Sequence, residues 1–252
     1  MKILVAVPVY NEQKYVARVI EKITQYAECV LVIDDGSTDY TPMLLAMNQV
    51  DVVRNKTNRG YGRALRTAFR WAQMYDYDWI ITMDCDEQHE PESLPDFYQA
   101  IAQHDADVIS GSRYLSVERC GSPPPIDRRK INQTVTQWVN TGLNLDITDA
   151  FCGFKAYRVS ALDKMNLTVD GYAIPLQQWV QFAAAGLRVC EVPIKLIYND
   201  PNRSFGGPLD DAAQRLAHYR TVFERELGRH PGLSRTRVAD LFTPPCECGA
   251  AI

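Results

Sequence analysis

The sequence predicts an α/β fold in which a central, mostly parallel sheet carries helices on both faces. Three observations support this prediction. Short apolar runs such as Ile3–Val9 are typical of strands that are buried on both faces. Apolar residues such as Val16, Val19 and Ile20 then recur at helical spacing. Strands and helices alternate along the chain, which indicates parallel strands joined by right-handed crossovers.

The same two patterns place each element in order. Strands are expected at the short apolar runs, which are residues 3–9, 30–33, 52–53, 79–83, 108–112, 154–157 and 188–192, with a further edge or hairpin strand at 194–198. Helices are expected where apolar residues repeat every three or four positions, at residues 12–27, 41–48, 60–75, 95–104, 131–143, 175–185 and 208–227. Residues 116–130 show no period and include three consecutive prolines, so a long loop is expected there.

Composition and charge exclude several classes of protein. Hydrophobic residues make up 46% and charged residues 23% of the 252 residues, which is typical of globular proteins and not of disordered ones. The formal net charge of −4 disfavours a nucleic-acid-binding protein. Apolar runs are shorter than the ~18 residues of a membrane span, and the start of the chain does not resemble a signal peptide. Since seven scattered cysteines favour a reducing compartment, a cytoplasmic protein is expected.

Acidic and amide side chains follow the fourth predicted strand at residues 84–89, with the sequence DCDEQH. Closely spaced carboxylates repel one another, and a bound divalent cation with oxygen ligands removes that repulsion. Asp84, Asp86 and Gln88 therefore suit Mg²⁺ or Mn²⁺ shared with a diphosphate, because Mg²⁺ takes few protein carboxylates and accepts phosphate oxygens for the remainder. The alternative is an acidic loop that caps the next helix.

A second polar cluster, DDGS at residues 34–37, ends the second predicted strand. An aspartate there can accept hydrogen bonds from ribose hydroxyls or a base N–H group, or it can belong to a turn and N-cap. The first strand is followed by YNE at residues 10–12 and not by G-x-G-x-x-G, which disfavours a dinucleotide-binding fold. Because ligands bind beyond the carboxyl ends of strands in such sheets, these clusters predict one site.

Six motifs point to one family. The first half contains VPVYNE at residues 7–12, IDDGSTD at 33–39, NRGYG at 58–62 and MDCDEQHEP at 83–91. The second half contains TDAFCGFKAY at residues 148–157 and EVPI at 191–194. In this order the motifs resemble those of family 2 glycosyltransferases, and most closely the dolichyl-phosphate mannose synthase branch. The similarity extends over residues 1–206.

This resemblance implies an A-type glycosyltransferase (Rossmann-like) fold and an inverting, metal-dependent transfer of a hexose from a nucleotide-diphosphate sugar. GDP-mannose and UDP-glucose both fit as the donor, and Mg²⁺ or Mn²⁺ as the cofactor. The residues implied to bind the nucleotide are Pro8, Tyr10, Asn11, Glu12, Asp34, Asp35 and Asp84. The residues implied to hold the metal are Asp84, Asp86 and Gln88.

The expected catalytic residues are Asp86, Arg113, Asp149 and Arg203. By resemblance, Arg113 contacts acceptor or donor phosphate, and Arg203 lies in a segment that closes over the diphosphate. A phosphate acceptor is already an anion and needs no base, whereas a sugar hydroxyl needs a carboxylate to take its proton. Asp149 is the candidate for that base, and bracing its own turn is the alternative role.

The resemblance implies a polyprenyl or dolichyl phosphate as acceptor. The alternatives are a saccharide hydroxyl in glycan synthesis and a non-catalytic nucleotide-sugar-binding domain. Three departures from the branch concern the acceptor: Cys152 replaces a serine, residues 202–207 differ from the closing-loop pattern, and no membrane helices follow. Residues 203–237 contain seven arginines and four carboxylates, which suits either a solvated helix or peripheral contact with the cytoplasmic face of a membrane.

No repeat and no clear linker interrupts the chain, so a single catalytic domain is expected at residues 1–240. Within it, residues 1–112 are expected to bind the nucleotide-sugar and residues 113–240 the acceptor. Residues 241–252 are expected to form a flexible tail, in which Cys246 and Cys248 are only a weak metal signal.

Overall fold

The computed structural model describes residues 1–103, 105–116, 124–195, 197, 206–233 and 240–242. The strands in this part of the chain are β1 (Ile3–Val9), β2 (Val30–Asp34), β3 (Asp51–Arg54), β4 (Trp79–Thr82), β5 (Val108–Ser112), β6 (Lys155–Arg158) and β7 (Val189–Pro193). The helices are α1 (Val16–Ile23), α2 (Thr41–Ala46), α3 (Tyr61–Met74), α4 (Leu94–Gln103), α5 (Ile126–Leu143), α6 (Val159–Leu162), α7 (Ile174–Ala184) and α8 (Ala212–Arg229).

All these strands lie in one sheet with the order β3-β2-β1-β4-β6-β5-β7. β6 runs antiparallel to its neighbours β4 and β5, and the other pairs are parallel, so the predicted mostly parallel sheet is confirmed. Because β1, β2 and β4 are parallel neighbours, the residues that follow them leave the sheet at the same edge. The predicted polar clusters therefore meet there.

Helices cover both faces of the sheet, as predicted. Successive side chains of a strand point to opposite faces. Leu4 and Ala6 of β1 pack in an apolar cluster with residues of α3, α5, α7 and α8, whereas Val5 and Val7 pack in a second cluster with α1 and α4. This burial on both faces explains the continuous apolar run of β1 and gives the loops at the sheet edge a rigid base.

The predicted loop at residues 116–130 is wrong at its end, because α5 already begins at Ile126. Pro125 stands immediately before the helix, and the first turn has the sequence IDRRK, whose four polar residues show no apolar period. Residues 117–123 of this predicted loop lie outside the described residues.

Other predictions differ from the structure at element ends. α1 begins at Val16 and not at residue 12. Asn11 and Glu12 belong to the loop after β1, where their N–H groups donate to the hydroxyls of Ser37 and Thr41 and Asn11 has a left-handed φ of 55°. The predicted strand at 194–198 is wrong at residues 194, 195 and 197, and its other residues lie outside the described part.

The last predicted helix is divided into two segments. Gly207–Asp210 forms a 3-10 turn, and α8 then begins at Ala212. The Asp211 carboxylate accepts a hydrogen bond from the Gln214 N–H at 2.8 Å, which caps the new helix. None of the described helices is long and apolar enough to cross a membrane. The bounds of the single domain and of the tail stay predictions, since residues 243–252 are outside the described part.

Candidate active site

A cavity of about 950 Å³ opens at the edge of the sheet where β1, β2 and β4 end. Loops after these three strands form one wall, and the end of β5 with α5, α7 and α8 forms the other. The predicted site residues that line it are Pro8, Tyr10, Asn11, Glu12, Asp35, Asp84, Asp86, Gln88 and Arg113. Asp34 and Asp149 are wholly buried. Arg203 lies outside the described residues.

The loop after β1 is tied to the loop after β2 by side chain to backbone hydrogen bonds. Asn11 has a φ of 55°, a left-handed conformation that asparagine tolerates. Its Oδ1 accepts from the Thr38 N–H at 2.8 Å, and its own N–H donates to Ser37 Oγ at 2.9 Å. The Glu12 N–H donates to Thr41 Oγ1 at 2.9 Å. These bonds hold the first wall in one shape.

Asp35 lies in the cavity wall and organises the loop that leads to α3. Its carboxylate accepts hydrogen bonds from Asn55 Nδ2 at 2.6 Å and from the N–H groups of Arg59 at 2.9 Å and Gly60 at 2.7 Å. This single side chain therefore joins the end of β2 to the start of α3.

Asp34 has a different environment from its neighbour Asp35. Its carboxylate is wholly buried, accepts from the Ser37 N–H at 2.8 Å and faces Arg54 Nε at 3.1 Å. The resemblance implied a nucleotide-binding role for both aspartates. The structure places Asp35 at the cavity, while Asp34 braces the turn beside it.

The Asp84 carboxylate is 30% exposed and opens into the cavity. The Tyr61 hydroxyl donates to its Oδ1 at 2.9 Å. Burial, reinforced by the charge of Asp84, raises the pKa of Tyr61 well above its ordinary value, so the hydroxyl stays protonated and acts as a donor. A Cβ at Gly153 would lie 2.7 Å from Asp84 Oδ2, so only glycine fits behind this carboxylate.

In the acidic segment after β4, residues 84–92, the aspartates and the glutamates have different environments. Asp86 lines the cavity and accepts from the Gln88 N–H at 3.0 Å through Oδ1. The three glutamates of the segment instead form ion pairs with cations of other elements, which are Glu87 with Arg18, Glu90 with Lys195 at 3.7 Å, and Glu92 with Lys22 at 3.2 Å. The two aspartates are left to line the cavity.

His89 belongs to this site, although its place in the sequence predicted no role for it. Its ring is 3% exposed, and Nδ1 accepts from the Asp84 N–H at 3.0 Å. Burial lowers the pKa of His89 to about 4, so the ring is neutral at pH 7. The sequence shows a histidine five residues after Asp84, but it does not show that the ring turns back towards the Asp84 N–H.

Arg113 and Asp149 form an ion pair at the end of β5. Arg113 Nε lies 2.7 Å from Asp149 Oδ2, and Nη2 lies 2.9 Å from Oδ1. Asn132 Nδ2 of α5 donates to the same Oδ1 at 2.7 Å. Burial opposes ionisation of Asp149, but the charge and hydrogen bonds of Arg113 outweigh it and hold the pKa of this carboxyl well below its ordinary value.

Two further ionisable groups lie near this pair, the partly buried Glu191 and the buried Lys155. The Glu191 carboxylate accepts from the N–H of Thr148 at 2.8 Å and from its hydroxyl at 2.9 Å. The Lys155 ammonium donates to the carbonyl oxygen of Cys152. Burial raises the pKa of Glu191 and lowers the pKa of Lys155. Buried polar networks of this kind fix the orientation of their members, here the guanidinium at the cavity wall.

Two arginines whose role no sequence motif predicted, Arg128 of α5 and Arg215 of α8, also line the second wall. Arg215 is 3% exposed and donates to the Leu209 carbonyl and to the Asp127 carboxylate, both at 2.7 Å. With Arg113, three arginines from the end of β5, α5 and α8 therefore line the cavity, whereas its carboxylates come from the loops after β1, β2 and β4. Arg215 and Asp127 are 88 residues apart, so local patterns could not relate them.

The chain is similar in sequence to a large family of enzymes. The family model described as glycosyl transferase family 2 matches residues 4–165. The chain belongs to glycosyltransferase family 2. The matched range runs from β1 through α6 and includes Asp84, Asp86 and the Arg113–Asp149 pair, so the predicted glycosyltransferase is confirmed.

Two relatives confirm the resemblance of this glycosyltransferase to the dolichyl-phosphate mannose synthase branch. It is 28% identical over 231 residues to the undecaprenyl-phosphate mannosyltransferase of Micrococcus luteus. This alignment covers 87% of this chain and 94% of the relative. It is 31% identical over 202 residues to the polyprenol monophosphomannose synthase of Mycolicibacterium smegmatis, and the alignment covers 76% of each chain.

A solved structure supports the fold of the glycosyltransferase. Glucosyl-3-phosphoglycerate synthase from Mycobacterium tuberculosis, crystallised with Mn²⁺, uridine diphosphate and glucosyl-3-phosphoglycerate, matches with a TM-score of 0.68. The match covers 89% of this chain and 79% of the other, at 18% identity. At this identity the likeness concerns the fold, and the predicted A-type glycosyltransferase fold is confirmed.

Proposed function

We propose that this family 2 glycosyltransferase transfers a hexose, with inversion, from a nucleotide-diphosphate sugar to the phosphate of a polyprenyl lipid. The observation that carries the proposal is the division of charge in the cavity, where carboxylates line one wall and arginines the other. A cation-bound diphosphate suits the acidic wall and an anionic acceptor suits the basic wall. In this proposal residues 1–112 bind the donor and residues 113–240 bind the acceptor.

We assign the nucleotide to the wall formed by the loops after β1 and β2. The Tyr10 side chain is 43% exposed at the cavity and offers a ring face on which a base can stack. Asp35 lies beside it and can accept from ribose or base, while Asp34 supports this wall from within. The other residues assigned to this wall are Pro8, Asn11 and Glu12. GDP-mannose and UDP-glucose are the two donors we propose.

The residues after β4 fit Mg²⁺ or Mn²⁺. Asp84, Asp86 and Gln88 carry the hard oxygen atoms that these cations prefer, and all three line the cavity. No group of three or more His, Cys, Asp or Glu side chains forms a complete metal site among the described residues. The proposed site has only two carboxylates and an amide, and substrate phosphates would supply the remaining ligands of the cation. When bound, the cation neutralises charge on the departing diphosphate.

The acceptor is assigned to the arginine wall. Arg113 and Arg128 lie where they can bind a phosphate monoester, whose oxygen is already an anion and needs no general base. That oxygen attacks the anomeric carbon from the face opposite the diphosphate, and the diphosphate leaves with the electrons of the broken C–O bond. Arg203 is assigned to stabilise the leaving diphosphate.

Asp149 is assigned a positioning role. Its carboxylate is wholly buried and accepts hydrogen bonds from Arg113 and Asn132, so it lies behind the guanidinium and not against the acceptor. This environment favours the bracing role over that of a base. Because the acceptor is a lipid, we also propose peripheral contact with the cytoplasmic face of a membrane.

The donor site is tested by calorimetry with GDP and with UDP in the presence of Mn²⁺. We expect the wild type to bind one of them and Asp86→Ala to bind it at least about tenfold more weakly, with an unchanged melting temperature. Glu92→Ala is the matched control, because its carboxylate pairs with Lys22. Undiminished metal-dependent binding by Asp86→Ala would reject the metal assignment.

The acceptor is tested by transfer of labelled sugar from GDP-mannose and UDP-glucose to undecaprenyl phosphate in phospholipid vesicles. We expect a labelled lipid with one of these donors. Transfer only to added saccharides would reject the lipid acceptor. Nucleotide binding with neither transfer nor donor hydrolysis would identify a non-catalytic domain.

A further inference from the structure

His89 lies beneath the segment that carries the proposed metal ligands. Its Nδ1 accepts a hydrogen bond from the Asp84 N–H at 3.0 Å. A backbone N–H can only donate, so Nδ1 carries no proton and the neutral ring is protonated at Nε2. The bond closes a turn of six residues from Asp84 to His89 and fixes the backbone from which the Asp84 carboxylate enters the cavity.

The other side of the ring contacts the second half of the site. His89 Nε2 lies 4.0 Å from Cys152 Sγ, and the ring packs against Phe154 with a centroid separation of 5.4 Å. Gly153, between these two residues, is the glycine whose Cα faces the Asp84 carboxylate. His89 thus contacts the backbone of Asp84 on one side and the 152–154 segment on the other.

We propose that His89 is a positioning residue that fixes Asp84 for metal and diphosphate binding. The inference deepens the proposed function and rests on the assignment of Asp84 as a metal ligand. His89 is buried and reaches the site through the Asp84 backbone and the 152–154 segment, so it acts without touching the substrate.

The turn needs such a fixed point because its backbone is not a regular element. Glu87 has a φ of 57°, in the left-handed region that glutamate rarely adopts. Within the turn, the Gln88 N–H donates to Asp86 Oδ1, which holds the second aspartate but not the first. Without an acceptor at His89, the Asp84 N–H loses this partner in a partly buried place, and the turn relaxes to regain one.

Two variants distinguish the effect of the hydrogen-bond acceptor of His89 from the effect of the size of its ring. His89→Asn places an Oδ1 acceptor at the position of Nδ1, whereas His89→Phe keeps a ring of similar size without an acceptor. We expect His89→Phe to weaken Mn²⁺-dependent nucleotide binding by about tenfold or more and His89→Asn to stay within about threefold of wild type. Calorimetry measures the affinities, and thermal unfolding of both variants controls for loss of fold.

A second readout needs neither metal nor nucleotide. Amide hydrogen exchange of the metal-free protein should show a faster-exchanging Asp84 N–H in His89→Phe and wild-type protection in His89→Asn. Equal exchange and equal binding in the two variants would overturn the proposal. If the wild type binds no metal-dependent nucleotide, the proposed function fails, whereas the exchange comparison still decides whether His89 holds Asp84.

The wild type alone provides a third measurement should both variants unfold. Nitrogen-15 NMR of the imidazole rings at pH 7 distinguishes a bare ring nitrogen from a protonated one. We expect His89 to have a bare Nδ1 and a protonated Nε2. A proton on Nδ1 is incompatible with acceptance from the Asp84 N–H and would overturn the proposal.

Discussion

The Arg113 guanidinium and the Asp149 carboxylate meet at two points, with Nε–Oδ2 at 2.7 Å and Nη2–Oδ1 at 2.9 Å. The aspartate is wholly buried, whereas the arginine lines the cavity. The buried carboxylate therefore fixes the position of the Arg113 guanidinium at the wall where the acceptor is assigned. A two-point pair also sets the plane of the guanidinium, which a single contact does not.

Replacing Asp149 should be costly for stability. Asp149→Asn keeps the shape of the side chain but leaves Arg113 without its counter-charge in a buried place, which costs about 3–5 kcal/mol. Denaturant unfolding at pH 7 measures this loss. Asp146→Asn is the control, because Asp146 is exposed three residues earlier. A loss below about 1 kcal/mol, typical of an exposed pair, would contradict the buried geometry.

The same pair predicts a pH dependence with a definite sign. The pKa of the Asp149 carboxyl lies below its ordinary value of 3.8, because Arg113 outweighs the effect of burial. A carboxyl with a lowered folded-state pKa stabilises the protein above its unfolded pKa and loses that contribution as the pH falls through the folded value. The stability difference between wild type and Asp149→Asn should therefore be constant near neutral pH and shrink below about pH 4. Unfolding at pH 7 and pH 3 tests this, and a difference that grows in acid would contradict it.

Gly153→Ala should damage metal-dependent nucleotide binding. The added Cβ would lie 2.7 Å from both Asp84 Oδ2 and the Tyr61 hydroxyl oxygen, so the Asp84 carboxylate must move. We expect at least about tenfold weaker binding in the Mn²⁺ calorimetry, since even residues that only orient metal ligands commonly have effects of that size. Gly228→Ala is the control, because a Cβ there meets nothing within 4 Å. Equal affinity of the two variants would show that Asp84 tolerates displacement.

The donor wall could be predicted because its residues are local to strand ends. Tyr10 and Asp35 directly follow β1 and β2, and Asp84 lies two residues after β4. Parallel neighbouring strands bring such residues to one edge whatever the details of packing. The choice between Asp34 and Asp35 could not be predicted, because it depends on how the β2 turn faces Arg54 and Asn55.

The acceptor wall could be predicted only in part. Arg113 and Asp149 were identified by their motifs, but their direct contact joins residues 36 positions apart. Arg128 lies in the first turn of α5, where polar residues hide the helical period, and Arg215 reaches α5 only because α8 packs against it. These positions depend on the packing of distant helices, which local periodicity does not encode.

Arg215 should stabilise the packing of α8 and of the turn that precedes it. Its guanidinium joins the Leu209 carbonyl to the Asp127 carboxylate, so Arg215→Gln removes a partly buried link between α8 and α5. We expect faster amide exchange near residues 207–211 and a stability loss of about 1–2 kcal/mol, because the Leu209 carbonyl loses a hydrogen bond from a charged donor, whereas Asp127 is 48% exposed and its lost pair contributes little. Arg220→Gln is the control, since its exposed i,i+4 pair with Glu224 contributes only about 0.3–0.5 kcal/mol. Equal effects of the two variants would contradict the proposed link.

Arg128 should distinguish a phosphate acceptor from a saccharide hydroxyl. Arg128 lines the arginine wall of the cavity, whereas Lys130 is exposed on the same helical turn and does not line it. A charge-assisted hydrogen bond to phosphate contributes about 1.5–3 kcal/mol, so Arg128→Gln should raise the acceptor KM by about tenfold or more and leave the donor KM unchanged. Lys130→Gln is the matched control and should retain the wild-type acceptor KM. An unchanged acceptor KM in Arg128→Gln would mean that the acceptor presents no anion to this wall, and transfer to a neutral hydroxyl would then replace the phosphate acceptor.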